Sequence, residues 1–169
     1  LASTGVKGVV REYPFVPGID VAGEVIESND DKFNVGDLVI ASGYKIGMAF
    51  YGGFGEMVQL PPEFIVNLPD GLSLKQSMQI GTAGLTAAAS VKKIIDSGLS
   101  NNLPVLVSGA TGGVGSVAVN LLSNLGYEVH ALTGKSEEVQ TLKDMGASEV
   151  VLREDFMADP VKALDKGIY

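Results

Sequence analysis

Four glycines fall within seven residues, at Gly109, Gly112, Gly113 and Gly115, in the stretch "SGATGGVGS" spanning 108–116. The apolar run Val105, Leu106 and Val107 comes directly before it. After it, Val117, Val119, Leu121, Leu122 and Leu125 recur at helical spacing up to a stop at Gly126. A short valine-rich run reads as a buried strand, and the spacing that follows reads as a helix. A glycine turn between a strand and a helix meets three needs. The chain turns sharply, a ligand approaches the backbone with no Cβ in the way, and the helix packs close to the sheet. The free N–H groups and positive end of the helix then favour a diphosphate. Gly112, Gly113, Val114 and Gly115 are the expected diphosphate contacts. No Gly-Lys-Ser/Thr follows, so the loop is not the phosphate loop of a nucleoside triphosphatase.

The next segments continue the pattern. "YEVHALT" (127–133) reads as a second strand. "SEEVQTLKDMG" (136–146) reads as a helix with a Ser136 cap, acids in its first turn and a terminal glycine. "SEVVLR" (148–153) reads as a third strand. Strand, helix, strand, helix, strand is the first half of a doubly wound parallel sheet. The end of the second strand selects the dinucleotide: an acid there suits the ribose diol of NAD, a cation and hydroxyls suit the 2′-phosphate of NADP. This chain offers Thr133, Gly134, Lys135 and Ser136, about 20 residues past the glycines. The expectation is NADPH. Glu137 and Glu138 suit the positive end of the following helix. The other reading of Lys135 is a solvated loop lysine.

Upstream the texture differs. Short apolar runs, "VAGEVIES", "GDLVIAS", "GEMVQLP" and "EFIVNLP", alternate with glycine and proline turns, as in a β-barrel or sandwich. The change comes at "PDGLSLKQ", where Pro69, Asp70 and Gly71 form a turn and Ser73 can cap a helix. The expected domains are 1–72 and 73–169. The Ala-rich stretch after Ser73 reads as a long helix broken near Gly81 to Gly84. With 46% apolar and 19% charged residues, the chain can bury a core. A net charge of −8 argues against a sequence-independent grip on nucleic acid. No apolar run approaches the about 20 residues of a membrane span, and no signal peptide is visible at the start, so a cytoplasmic protein is expected. There is no cysteine, and His130 is the only histidine. No metal is expected, because a site needs more ligands than one.

The glycine spacing also fits short-chain dehydrogenases, but no Tyr here has a Lys four positions later, so their base is missing. The upstream stretches "PFVPGIDVAGEVIES", "FNVGDLVIA" and "GGFGEMVQLP" instead resemble the GroES-like domain of medium-chain dehydrogenase/reductases. Where zinc-dependent members carry Gly-His-Glu, this chain has Gly18, Ile19 and Asp20. The resemblance is therefore to the zinc-independent branch. Together with "IGTAGLTAA", "SGATGGVGSVAV" and "LKDMGASEVVLRE", it is closest to the YhdH/YhfP family of quinone oxidoreductases and acryloyl-CoA reductases.

That resemblance implies an α/β fold: a partial GroES-like β-barrel domain followed by the first half of a Rossmann doubly wound parallel sheet. It implies hydride transfer from NADPH to an activated alkene, such as an acryloyl-CoA-like enoyl thioester, or to a quinone. It places Thr86, and less directly Thr82, near the nicotinamide, and Tyr44, Phe50 and Tyr51 at the substrate cleft. It names no catalytic acid; Asp20 could brace the domain cleft. Family members have roughly twice this length, so a fragment of a homodimeric enzyme is expected. Two other readings stay open: a nucleotide-binding or structural module without catalysis, and an inactive truncation.

Overall fold

The structure, a computed structural model, describes residues 2–6, 10 and 12–156. Residues 157–169 of the expected second domain lie outside that range. The chain divides into two compact units, Leu1–Thr82 and Ala83–Tyr169. The division falls ten residues beyond the Leu72/Ser73 boundary read from the sequence.

The first unit holds a three-stranded antiparallel sheet in the order β1-β2-β3. β1 is Asp20–Glu24, β2 is Leu38–Ser42 and β3 is Val66–Asn67. Asp20 pairs with Ser42 and Glu24 with Leu38. The stretch "GEMVQLP" forms no strand. Its Met57 is 75% exposed, so the alternation seen in the sequence has no apolar face to bury. Proline shortens the next strand: Pro62–Phe64 form a 3-10 turn, which a residue without an N–H and with fixed φ suits. Only Val66 and Asn67 remain to pair with β2.

α1 spans Leu74–Asp96. Ser73 opens it with a reciprocal box. The Gln76 N–H donates to Ser73 Oγ at 3.2 Å, and the Ser73 N–H donates to Gln76 Oε1 at 2.9 Å. The expected break is present at Gly81, whose φ of 48° and ψ of −157° are not helical.

The second unit is a parallel sheet in the order β4-β5-β6, with β4 at Val105–Ser108, β5 at Val129–Thr133 and β6 at Glu149–Leu152. α2 (Gly113–Asn124) joins β4 to β5, and α3 (Val139–Asp144) lies between β5 and β6. A short α4, Arg153–Phe156, follows β6. Val119, Leu122, Val129, Ala131 and Leu142 form a fully buried core with Ala87 and Val91 of α1. Ser136 does not cap α3. It opens a 3-10 turn, Ser136–Glu138, with no side-chain cap, and α3 begins only at Val139. The Thr133 Oγ1 accepts the Lys135 N–H at 3.1 Å just before that turn, and the Glu138 N–H donates to the Lys135 carbonyl at 3.2 Å to close it. Among the described residues, no helix is long and apolar enough to cross a membrane.

Candidate functional site

β4 delivers the chain to Gly109, whose φ of 60° lies in the left-handed region. Glycine enters that region without the Cβ penalty. The turn closes with the Gly112 N–H donating to the Gly109 carbonyl at 2.8 Å. Gly112 is the N-cap of α2. A Cβ on Gly115 would run into the Gly109 carbonyl oxygen and come within 2.8 Å of Ala110 Cα. So Gly115 serves the close fold of the helix onto its own loop. Gly112, Gly113 and Val114 are exposed. The Ser116 N–H makes a bond back to the Gly112 carbonyl at 2.9 Å. The N–H groups of residues 113–115 lie ahead of that bond, in the first helical turn where carbonyl partners run out. At Gly113 and Val114, which are exposed, this is a fit for an anion at a positive helix end; Gly115 is buried and lies deeper in the same turn.

The stretch 133–136 sits at the end of β5. Thr133 is 1% exposed, and its hydroxyl oxygen orders the loop through Lys135. Gly134, Lys135 and Ser136 are exposed. Sequence reasoning missed a second cation. Arg153 lies directly after β6, and its Cζ would be 3.5 Å from a Cβ on Gly134, its Nη1 3.6 Å. The guanidinium therefore rests against the loop that carries Lys135. Parallel register explains this: Thr133 pairs with Leu152, so the next residue on each strand meets its counterpart. The signal was in the sequence, since both strand ends could be read, but it needed the register.

Thr82 and Thr86 lie on α1 past its break. Thr82 gives both its N–H and its hydroxyl to Asp20 Oδ1, at 2.9 and 2.7 Å. A Cβ on Gly81 would be 3.0 Å from Asp20 Oδ2, so the carboxylate occupies the break. Thr86 is exposed, and its carbonyl accepts the Ser90 hydroxyl at 2.9 Å.

The three aromatics expected at a cleft fall in two groups. Tyr44 stacks on Phe64, with centroids 4.7 Å apart and planes 10° apart, and Phe50 meets Phe64 edge-on at 5.2 Å. Tyr51 instead meets Phe15 at 6.4 Å. Gly52 and Gly53 give close approach to the chain itself: a Cβ on either would strike a backbone carbonyl of the 17–20 segment. His130 faces Glu128 at 3.0 Å and Glu149 at 3.5 Å. Among the described residues, no group of three or more His, Asp or Glu side chains is placed to hold a metal.

A groove of about 470 Å³ runs along β4 from the glycine loop, between α1 and α2. The first unit has a known counterpart: residues 3–70 match the alcohol dehydrogenase GroES-like domain. The whole chain is similar to several known proteins. It is 49% identical over 167 residues to YhfP of Bacillus subtilis, whose name assigns it provisionally to the quinone oxidoreductases. That match covers 98% of this chain and 51% of YhfP. It is 43% identical over 163 residues to the acrylyl-CoA reductase AcuI of Ruegeria pomeroyi, covering 96% of this chain and 49% of AcuI. The solved yhdH oxidoreductase of Salmonella enterica in complex with NADP superposes with a TM-score of 0.93 at 39% identity, over 100% of this chain and 52% of that one. The solved yhfP of B. subtilis, with NAD bound, gives 0.88 at 50% identity, over 94% and 49%. The chain thus spans about half the length of the relatives it matches.

Proposed function

This chain belongs with the YhdH/YhfP oxidoreductases of the medium-chain dehydrogenase/reductase type, and on that premise we propose that it is part of an NADPH-dependent, zinc-independent reductase of enoyl thioesters or quinones. Bound NADPH would supply a hydride to an electron-poor alkene or quinone. The chain's own residues do the holding. The N–H groups at Gly113, Val114 and Gly115 receive the diphosphate at the start of α2. Lys135 and Ser136 receive the 2′-phosphate, with Thr133 and Gly134 shaping their loop. Arg153 adds a planar, permanently charged donor suited to a phosphate. Thr82 and Thr86 offer hydroxyls on the nicotinamide side; Thr82 is oriented by Asp20. Tyr44, Phe50 and Tyr51 line the acceptor cleft. The longer enzyme acts as a homodimer in the cytoplasm.

The observation that carries the reading is the Arg153 guanidinium against Gly134, next in the chain to Lys135, where an NAD site would place an acid. It matters because the two solved relatives differ: yhdH holds NADP and yhfP holds NAD. Arg153→Ala and Lys135→Ala should each weaken NADPH by about tenfold, the loss of a charged hydrogen bond, and leave NADH nearly unchanged. Equal losses for both dinucleotides would overturn the assignment. For the reaction class, the full-length form should oxidise NADPH with acryloyl-CoA or a quinone. NADPH binding with turnover on neither would favour a non-catalytic module.

A further inference from the structure

Tyr44 and Lys45 both stand in the left-handed region, with φ of 48° and 65°. A Cβ there crowds the backbone, so glycine would hold either position at lower cost. The surrounding loop forces the geometry. The Gly43 N–H donates to the Ile19 carbonyl at 3.1 Å, and the Ile46 N–H to the Gly43 carbonyl at 2.8 Å. The Lys45 carbonyl accepts the Met48 and Ala49 N–H groups at 3.0 and 2.9 Å, and Ile46 has no exposed surface. Strain held this firmly points to a use for the two side chains that carry it. Tyr44 lies flat on Phe64, and Phe50 closes the edge of Phe64, so Tyr44 is backed on one face. Its ring is still 60% exposed, which leaves the other face open. Lys45 is exposed as well, and among the described residues no carboxylate pairs with it. A backed aromatic face beside a cation is a receptor for a planar ring that carries negative charge.

We infer that Tyr44 and Lys45 bind the adenosine phosphate end of a coenzyme A thioester, with adenine on the open face of Tyr44 and the 3′-phosphate on Lys45 Nζ. Two observations choose that ligand over a quinone. A quinone has a planar ring but no anion, and it would leave Lys45 without a role at a strained position. An adenosine phosphate uses both side chains at once, the ring by stacking and the ammonium as a point charge on phosphate. Packing alone explains neither the open face of Tyr44 nor a lysine where glycine costs less. All the residues involved lie within Leu1–Thr82, so the first unit carries the whole platform. The choice of a thioester deepens the acceptor reading above and rests on it; the ring platform does not.

The test titrates the 169-residue chain with adenosine 3′,5′-bisphosphate and reads the adenine H2 and H8 resonances. NADPH is held at saturation, so that the loop at Lys135 is filled. Stacking on a tyrosine ring should move both resonances upfield. Tyr44→Leu should abolish the shift and weaken binding about tenfold, the loss of one stacked base. If Tyr44→Leu does not fold, Tyr44→Gly takes its place, with the same loss expected. Lys45→Gly should weaken the bisphosphate about threefold, as for an exposed ion pair, and leave adenosine unchanged. It should also raise the urea midpoint, because glycine relieves the left-handed φ. Adenine resonances that do not shift, or affinities unchanged in the Tyr44 variants, would overturn the inference. So would a Lys45→Gly chain that is less stable, which would make the loop a packing device. Menadione that binds more tightly than the bisphosphate, and equally well to Lys45→Gly, would give the platform to a quinone and overturn the thioester. If NADPH does not bind, the cofactor reading falls and the titration is run on Lys135→Ala. An upfield shift lost in Tyr44→Leu then upholds the platform by itself, and no shift overturns it.

Discussion

Val119, Val129 and Ala131 of the second unit have no exposed surface, whereas Ile26, Val35 and Val66 of the first are 66%, 70% and 56% exposed. In the first unit the described residues bury only Val10, Ala41 and Ile46 among apolar side chains. Its tight contacts are made by backbone instead. The Gly52 N–H donates to Val16 O at 2.7 Å, the Gly53 N–H to Gly18 O at 3.1 Å and the Phe54 N–H to Pro17 O at 3.0 Å. Helices pressed on a sheet hold the second unit through side-chain volume. Loops pressed on loops hold the first through missing side chains. The two should therefore fail under different substitutions.

The largest contrast lies in the apolar positions. Leu142 is 1% exposed in the core of the second unit. Leu142→Ala should cost about 3 kcal/mol, as lost burial plus a cavity. Ile26→Ala, at an exposed bend beyond β1, should cost no more than about 0.5 kcal/mol. Urea titration of both variants checks this. Similar losses would mean that the first unit has an apolar core after all.

Next come the glycines. Gly52→Ala pushes a methyl into the Gly18 carbonyl, and Gly115→Ala pushes one into the Gly109 carbonyl. Each obstacle is backbone, so each should cost about 2–3 kcal/mol. The consequences should separate by unit. Residue-resolved amide exchange should show Gly52→Ala loosening β1 and β2 while β4 to β6 stay protected. Gly115→Ala should loosen the start of α2 and abolish NADPH binding. Loss of NADPH binding in Gly52→Ala as well would break this separation.

These mechanisms also explain what could be read from the sequence. In the second unit, burial follows side-chain period, and period is visible in a string of letters. The strands at 105–108, 129–133 and 149–152, the helix after the glycines and the break at Gly81 were all legible. In the first unit, "GEMVQLP" carried a strand-like alternation with no partner strand to satisfy it. Gly52 and Gly53 meet backbone carbonyls of the 17–20 segment, and no letter in the sequence says which atoms approach a glycine. Arg153 was invisible as a site residue for a third reason: it is 19 residues from Gly134 in the sequence and adjacent only through parallel register.

Asp20 is the next test. Its Oδ1 takes two hydrogen bonds from Thr82 at the break in α1. Asp20→Ala removes both of these bonds and should cost about 1–2 kcal/mol, in the range of a lost helix cap. Asp20→Asn keeps an acceptor oxygen and should recover about half. No recovery with Asn would mean that charge at the helix start, not the bonds, carries the effect. Denaturation of the three proteins at one ionic strength, and again in high salt, separates the two.

The smallest effect compares two serines that look alike in sequence. Ser73 and Ser136 each stand before a helix, with Gln76 three residues after the first and Val139 after the second. Only Ser73 closes a capping box; Ser136 lies inside a 3-10 turn with no side-chain cap, closed by the Glu138 N–H on the Lys135 carbonyl. Ser73→Ala should therefore cost about 1 kcal/mol, and Ser136→Ala only about 0.3 kcal/mol. The second substitution should still weaken NADPH by a few-fold, if its hydroxyl meets the 2′-phosphate. Stability and affinity then move in opposite patterns at the two positions. A stability loss at Ser136 equal to that at Ser73 would show that the helix after β5 is capped in solution as its sequence suggests. It would also remove Ser136 from the phosphate contacts, since a hydroxyl committed to the backbone of its own helix is turned away from the ligand.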